Sequence, residues 1–469
     1  MKLKKYPCYK SSIIPWINKV PSHWRCIRAK WLFKKMEHPV KDSDEVITCF
    51  RDGVVTLRKN RRTLGFTESL KEIGYQGIQK GELVIHQMDA FAGAVGVSDS
   101  NGKGSPVYSV CTTKEELNTY FFAKLIREMA RSKFILSLAK GIRERSTDFR
   151  FEIFSRQILP VPPLDEQKII ASFIRAKERK IAKFIRNKLR LIKLLKEQKQ
   201  AIINQAVTRG IDPDVRFKPS EVEWLGDIPE HWKVKRLRYI ANVKPSGVDK
   251  NTNEGEIPVK LCNYVDVYKN EKISKLINFM NATATSDEIV KYELKSGDVL
   301  ITKDSEDWND IAVPAFVSQK MPGVICAYHL AIVRPIDIEG EFLYKTFLAE
   351  SIVNQFRVSA NGVTRYGLSR GAIKDGWFPI PPQKEQYKII EYINQKLFKI
   401  HFAIEKAKRE IELIQEYRTC LISDVVTGKL GVRNINIDNV LDEEIIDGST
   451  INEETQNLNN SIKEVSNEY

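Results

Sequence analysis

Pro160-Val-Pro-Pro163-Leu-Asp-Glu166-Gln167 occurs near the middle of the chain and returns 219 residues later as Pro379-Ile-Pro-Pro382-Gln-Lys-Glu385-Gln386. Behind each copy lies a stretch with neither Pro nor Gly, Asp165 to Thr208 and Lys384 to Thr427. A Pro-Pro pair marks a helix boundary, and the breaker-free run after it propagates the helix. The first run is apolar at Ile174, Ile181, Ile185, Ile192, Leu195, Ile202 and Ala206. The second is apolar at the same offset, at Ile393, Ile400, Ile404, Ile411, Ile414, Leu421 and Val425. Spacings of three, four and seven put these side chains on one face of a long helix. At ~1.5 Å per residue each run makes a rod of roughly 66 Å. Such a rod has no globular neighbour of its own to cover its stripe. The pattern therefore predicts that the two copies pack on each other through these residues, as an antiparallel pair with pseudo-twofold symmetry.

A second repeat lies upstream of each first one. Trp16-Ile-Asn-Lys-Val-Pro21-Ser-His23-Trp24 matches Trp224-Leu-Gly-Asp-Ile-Pro229-Glu-His231-Trp232 at an offset of 208. The chain is thus duplicated, with two divergent segments alternating with two similar helical ones. In the divergent segments, short apolar runs alternate with Gly, Asn and Pro turns, as in Glu82–His86, Gly297–Thr302, Val324–Tyr328 and Ala331–Val333, and these read as strands. Helical stretches follow at Leu117–Leu138 and Phe342–Val358. The expected fold is α/β (α+β): two mixed domains separated by two long helices. The expected boundaries are 1–160 and 211–380 for the mixed domains, 161–210 and 381–432 for the helices, and 433–469 for a tail.

The 469 residues carry 75 Lys and Arg against 60 Asp and Glu, a formal charge of +15. At roughly 100–200 residues per domain, that length allows two to four domains. Residues 434–469 hold nine acidic side chains and one basic, so the body before them carries +23. The tail reads as a solvated, disordered appendage. The body's charge favours a polyanionic partner over mere solubility. Seven scattered cysteines without a CxxC argue against a disulfide framework or a structural zinc and for a reducing cytoplasm. No apolar run is long enough for a membrane helix, and the first residues lack the apolar core of a secretion signal.

Basic clusters mark candidate nucleic-acid contacts. One is Arg58-Lys59-Asn60-Arg61-Arg62, suited to phosphates or to a solvated hairpin. Two Gly-containing loops follow the helical stretches, Gly141-Ile-Arg143-Glu-Arg145 and Gly362-Val-Thr364-Arg365-Tyr366. There a tight turn beside Arg and hydroxyl groups suits a phosphate or a base edge. Catalytic motifs are missing. Phe91-Ala-Gly93-Ala-Val-Gly96 is a weak glycine loop for a nucleotide or S-adenosylmethionine, and strand-to-turn packing explains it better. The Pro-Pro pairs lack the polar and aromatic flanks of an adenine methyltransferase. Glu166-Gln-Lys168 has lost its lysine in the duplicate, Glu385-Gln-Tyr387, which points to helix capping and not to a nuclease site. His23 and His231 read as packing and hydrogen-bonding residues.

Duplicated Trp-x-x-x-x-Pro-x-His-Trp and Pro-x-Pro-Pro-x-x-Glu-Gln motifs, with helices ending Ala206-Val207-Thr208 and Val425-Val426-Thr427, resemble the specificity subunit of type I restriction–modification enzymes. The resemblance spans about Tyr9 to Val432. It implies two target-recognition domains, each reading half of a split sequence in double-stranded DNA, with the helices as spacers. It implies docking of two methyltransferase subunits that carry S-adenosylmethionine, and motor/nuclease subunits with ATP and Mg, leaving this chain without cofactor, metal or chemistry of its own. It also places Lys303, Asp304 and Ser305 near the DNA, beside Thr364, Arg365 and Tyr366. The competing readings are a fused methyltransferase–nuclease and a coiled-coil scaffold with non-specific DNA affinity.

Overall fold

The structure, a computed structural model, describes residues 3–61, 73–138 and 148–433. The described residues form two compact units, one from those up to 190 together with 408–433, the other from 191–407. The central helix, Leu164–Arg209, and the C-terminal helix, Gln383–Val426, each contribute to both.

Unit one is built on a four-stranded antiparallel sheet of β1 (Phe33–Met36), β2 (Leu83–His86), β3 (Val95–Val97) and β4 (Tyr108–Thr113), in the order β1-β4-β2-β3. Helix α1 (Thr119–Arg131) shares the core. Asn118 caps it, its side chain accepting from the Phe121 amide at 3.0 Å. The glycines of Phe91–Gly96 serve packing. A Cβ at Gly96, on β3, would lie 2.1 Å from the Gly53 carbonyl oxygen, so only glycine lets the two backbones approach this closely.

The two larger sheets of unit two are built from β5 (Ala241–Pro245), β6 (Ile257–Cys262), β7 (Lys272–Ile273), β8 (Met280–Ala284), β9 (Val299–Thr302), β10 (Pro314–Val317), β11 (Val324–Cys326) and β12 (Leu330–Pro335). One sheet runs β5-β12-β9-β10-β7 and the other β8-β6-β11. Helix α2 (Tyr264–Lys269) starts in a reciprocal capping box of Asn263 and Asp266. Helices α3 (Gly340–Phe347) and α4 (Glu350–Ser359) divide the stretch expected as one helix.

Both units close in the same way. Arg25–Arg28 pairs antiparallel with Ile158–Val161, Arg25 opposite Val161. Lys233–Arg236 pairs with Trp377–Ile380, Lys233 opposite Ile380. Each ladder joins the strand after a Trp-Pro-His-Trp motif to the strand before a long helix, so each mixed segment leaves and returns at one point.

The helices have globular neighbours, contrary to expectation. Ile170, Phe173 and Ile174 of the central helix share the unit-one core with Trp24, Phe121 and Phe122, and with Leu421, Val425 and Val426 of the C-terminal helix. Ile203, Ala206 and Val207 share the unit-two core with Trp232, Phe342 and Phe347, and with Ile389, Ile393 and Leu397. The start of each helix thus meets the end of the other within one unit. The opening ladder brings the mixed segment back onto the first turns, which is why the ends are covered.

Candidate nucleic-acid interface

Unit two gathers residues that are far apart in sequence. Asp304 and Ser305 pair with Tyr366 and Gly367 in a short antiparallel ladder, Asp304 opposite Gly367 and Ser305 opposite Tyr366. The Leu368 amide donates to the Lys303 carbonyl at 2.8 Å, and the Lys303 amide to the His329 carbonyl at 2.9 Å. The loop between Asn361 and Gly367 is closed by two backbone bonds of 3.0 and 2.9 Å. At its turn Gly362 has φ +144°, and a Cβ there would fall 1.8 Å from the Arg365 carbonyl oxygen, so the tip requires glycine. Val363, Thr364 and Arg365 stand exposed on that tip.

Under the tip, the Lys303 ammonium pairs with Asp304. His329 Nδ1 lies 3.3 Å from Asp304 Oδ2, and Arg365 Nη2 lies 2.9 Å from His329 Nε2. Burial, with Arg365 and Lys303 nearby, lowers the His329 pKa against the opposing pull of Asp304. Alongside, the Tyr264 hydroxyl is 3.3 Å from Ser305 Oγ, and the Tyr264 and Tyr268 rings stack at 5.7 Å and 12°. Trp308 is half exposed with the Arg357 guanidinium 5.7 Å from its ring. Burial and the Asp307 charge raise the Asp310 carboxyl. Exposed aromatics, an arginine and carboxylates on one loop cluster supply stacking surfaces, a guanine-type donor fork and acceptors for base amino groups.

The sequence named Lys303, Asp304, Ser305, Thr364, Arg365 and Tyr366, and the fold brings the two triplets together. It did not name His329, Tyr264, Tyr268, Trp308 or Arg357. Only the strand and loop pairing assembles these, and no spacing rule carries that information.

In unit one, Arg58, Lys59 and Asn60 form a 3-10 turn after the strand Val55–Leu57. Arg58 Nε donates to Thr48 Oγ1 at 3.3 Å, and Lys59 Nζ donates to Glu45 Oε1 at 2.7 Å. Arg61 donates twice to Asp52, at 3.0 and 2.6 Å, and lies 4.4 Å over the Phe50 ring. Burial works to raise the Asp52 carboxyl, but the two bonds from Arg61 outweigh it and hold it low. Arg61 is thus engaged within its own unit. Arg62, Arg143 and Arg145 lie outside the described residues, as does the acidic tail.

Along the helices, Ile174, Ile181, Ile185, Ile192, Ile393, Ile400, Ile404, Ile411 and Leu421 are buried. Leu195, Ile202 and Ile414 are half-buried.

The two repeated motifs touch. Glu166 accepts from the Tyr6 hydroxyl at 2.5 Å and sits 2.7 Å from His23 Nε2. Glu385 sits 2.7 Å from His231 Nε2 and accepts from the Trp232 indole at 3.1 Å. Gln167 accepts the Asn118 amide at 2.9 Å and donates to the Pro162 carbonyl at 2.9 Å. Gln386 does the same with the Glu339 amide at 2.9 Å and the Pro381 carbonyl at 3.0 Å. The Glu clips the Trp-Pro-His-Trp segment to the helix start, and the Gln fixes the mixed segment. Among the described residues, no group of three or more His, Cys, Asp or Glu is placed to hold a metal ion, and no helix is long and apolar enough to cross a membrane.

Residues 229–414 match the family model of the type I restriction modification DNA specificity domain. The specificity subunit of the type I restriction enzyme MjaVIII of Methanocaldococcus jannaschii is 22% identical over 443 residues, 89% of this chain and 95% of the relative. The EcoKI specificity subunit of Escherichia coli K12 is 24% identical over 257 residues, 53% of this chain and 52% of the relative. A chain in a structure of type I R-M complex assembly and conformational transition matches with TM-score 0.64 at 13% identity, covering 88% of this chain and 99% of that one. The HsdS subunit of Thermoanaerobacter tengcongensis matches with TM-score 0.52 at 13% identity, covering 88% and 98%.

Proposed function

We propose, from the premise that this chain belongs to the specificity-subunit family of type I restriction–modification systems, that it is the DNA-reading, non-catalytic subunit of such a system. Each unit reads one half of a bipartite target. The observation that carries this is the duplicated frame. The same closing ladder and the same His–Glu and Gln clips recur in both units, around loops that differ in sequence and length. A frame held constant around variable loops suits two modules that read different bases from equivalent positions. The body's charge supplies the sequence-independent part of the affinity.

Two methyltransferase subunits, bringing S-adenosylmethionine, dock on this chain in the cytoplasm. Motor/nuclease subunits, using ATP and Mg, join for cleavage. Selection from random duplexes by the chain purified with its methyltransferase partner should enrich two short blocks around an unread gap. Recovery of basic, sequence-independent binding alone would replace this reading with that of a scaffold.

A further inference from the structure

We propose that His329 is a positioning residue that presents Arg365 to a base in the half-site read by unit two. The proposal rests on the reading above that this loop cluster faces DNA. Its own support is geometric. His329, Asp304 and Arg365 come from three separate segments, and backbone bonds from Lys303 to His329 and from Leu368 to Lys303 lock those segments together. The Asp304 and His329 side chains are 22% and 12% exposed, so the pair forms a sheltered base, while Arg365 above it is exposed.

The bond polarity is fixed from below. Asp304 accepts only, so the ring proton belongs on Nδ1, 3.3 Å from its Oδ2. Arg365 Nη2 lies 2.9 Å from Nε2 and 3.2 Å from Nδ1, nearly equidistant from the two ring nitrogens, so the guanidinium rests on the imidazole face and not in line with either lone pair. Among the described residues, the structure gives Arg365 Nη1 and Nε no protein partner. They are left to donate outward, the arrangement that pairs with guanine O6 and N7. An exposed arginine without such a rest must lose its rotamer freedom on binding. One already seated on an imidazole has lost much of it beforehand.

The test uses the complex with the methyltransferase partner, its selected target, and duplexes carrying each single-base change. Arg365→Ala should reduce discrimination at one position of one half-site by about tenfold or more. His329→Ala should reduce it at the same position by a comparable factor, and the double variant should lose little more. The other half-site and non-specific binding should not change. His329→Phe, which keeps a flat ring under the Arg365 guanidinium, should retain most of the discrimination that His329→Ala loses.

Burial and the neighbouring cations hold the His329 pKa below the ordinary histidine value, so the wild-type ring should protonate only as the pH falls well below about 6.5. The ring then carries a positive charge under the Arg365 guanidinium, with Lys303 and Asp304 the other charges beside it, and discrimination at that position falls. His329→Phe should show no such fall. If Arg365→Ala acts and His329→Ala does not, or if His329→Phe follows the wild-type pH profile, the positioning role is overturned while DNA reading stands. If Arg365→Ala changes no position, the assignment of this cluster to DNA fails as well.

Discussion

Glu166 and Glu385 do the same work 219 residues apart, and each does it with a histidine that the sequence had set in another motif. Their repetition was legible, but their partnership was not. Helix capping was the nearest local explanation for an acid two residues into a helix, and the true partner of Glu166 lies 143 residues away. The same holds for Glu178. Burial would raise its carboxyl, but the Lys124 ammonium at 2.7 Å and the Tyr120 hydroxyl at 2.7 Å outweigh burial and hold it below its usual range. Burial pulls the Lys124 ammonium down at the same time, so each charge depends on the other. Glu178→Gln leaves that half-buried ammonium without its counter-ion and should cost about 1–3 kcal/mol at pH 7. A depressed carboxylate stabilises fully above its unfolded pKa of about 4.3 and loses that contribution as pH falls through its lower folded value. The gap in melting temperature between wild type and Glu178→Gln should therefore be wide at pH 7 and close towards pH 3. A gap that stayed constant with pH would contradict the ion pair.

At the scale of the element, the long helices were the clearest part of the sequence. Over their middle turns the heptad stripe coincides with the buried face, at Ile174, Ile181, Ile185 and Ile192. Beyond Ile192 the two part company at Leu195 and Ile202, and meet again at Ala206. A straight helix turns every 3.6 residues, so a strict seven-residue stripe rotates by about 20° per heptad. The buried position is Ile203, 1% exposed, while Ile202 is half-buried. Ile203→Ala should cost about 2–4 kcal/mol of unit-two stability by cavity formation, and Ile202→Ala less than half as much. Denaturant unfolding followed by a unit-two probe, such as the fluorescence of buried Trp232, would read both. Equal losses would put the seam back on the heptad. The sharing of helix ends with the mixed cores was hidden for a different reason. It depends on the closing ladders, which pair Arg25 with Val161 and Lys233 with Ile380, 136 and 147 residues apart.

For the whole molecule, duplication made the mixed α/β class and the alternation of segments readable before any coordinates. Two motifs at constant offsets leave no other simple organisation. The arrangement of the loops around Arg365 was only half readable. Charge and glycine named Arg365 and its neighbours, but His329 beside it and Tyr264 beside Ser305 are brought there by strand order alone. The bonds of Arg61 to Asp52 were not legible either, since a basic run looks the same in sequence whether its members face a phosphate or an aspartate. The division of labour between the two units is the central claim, and replacing one unit's variable segment tests it most directly. Residues 25–159 would be exchanged for those of a relative, and the methylated motifs of a host carrying the intact system would be sequenced before and after. The account predicts one bipartite motif before the exchange. After it, one block should be new, with the other block and the gap unchanged. A change in both blocks, or in neither, would contradict it.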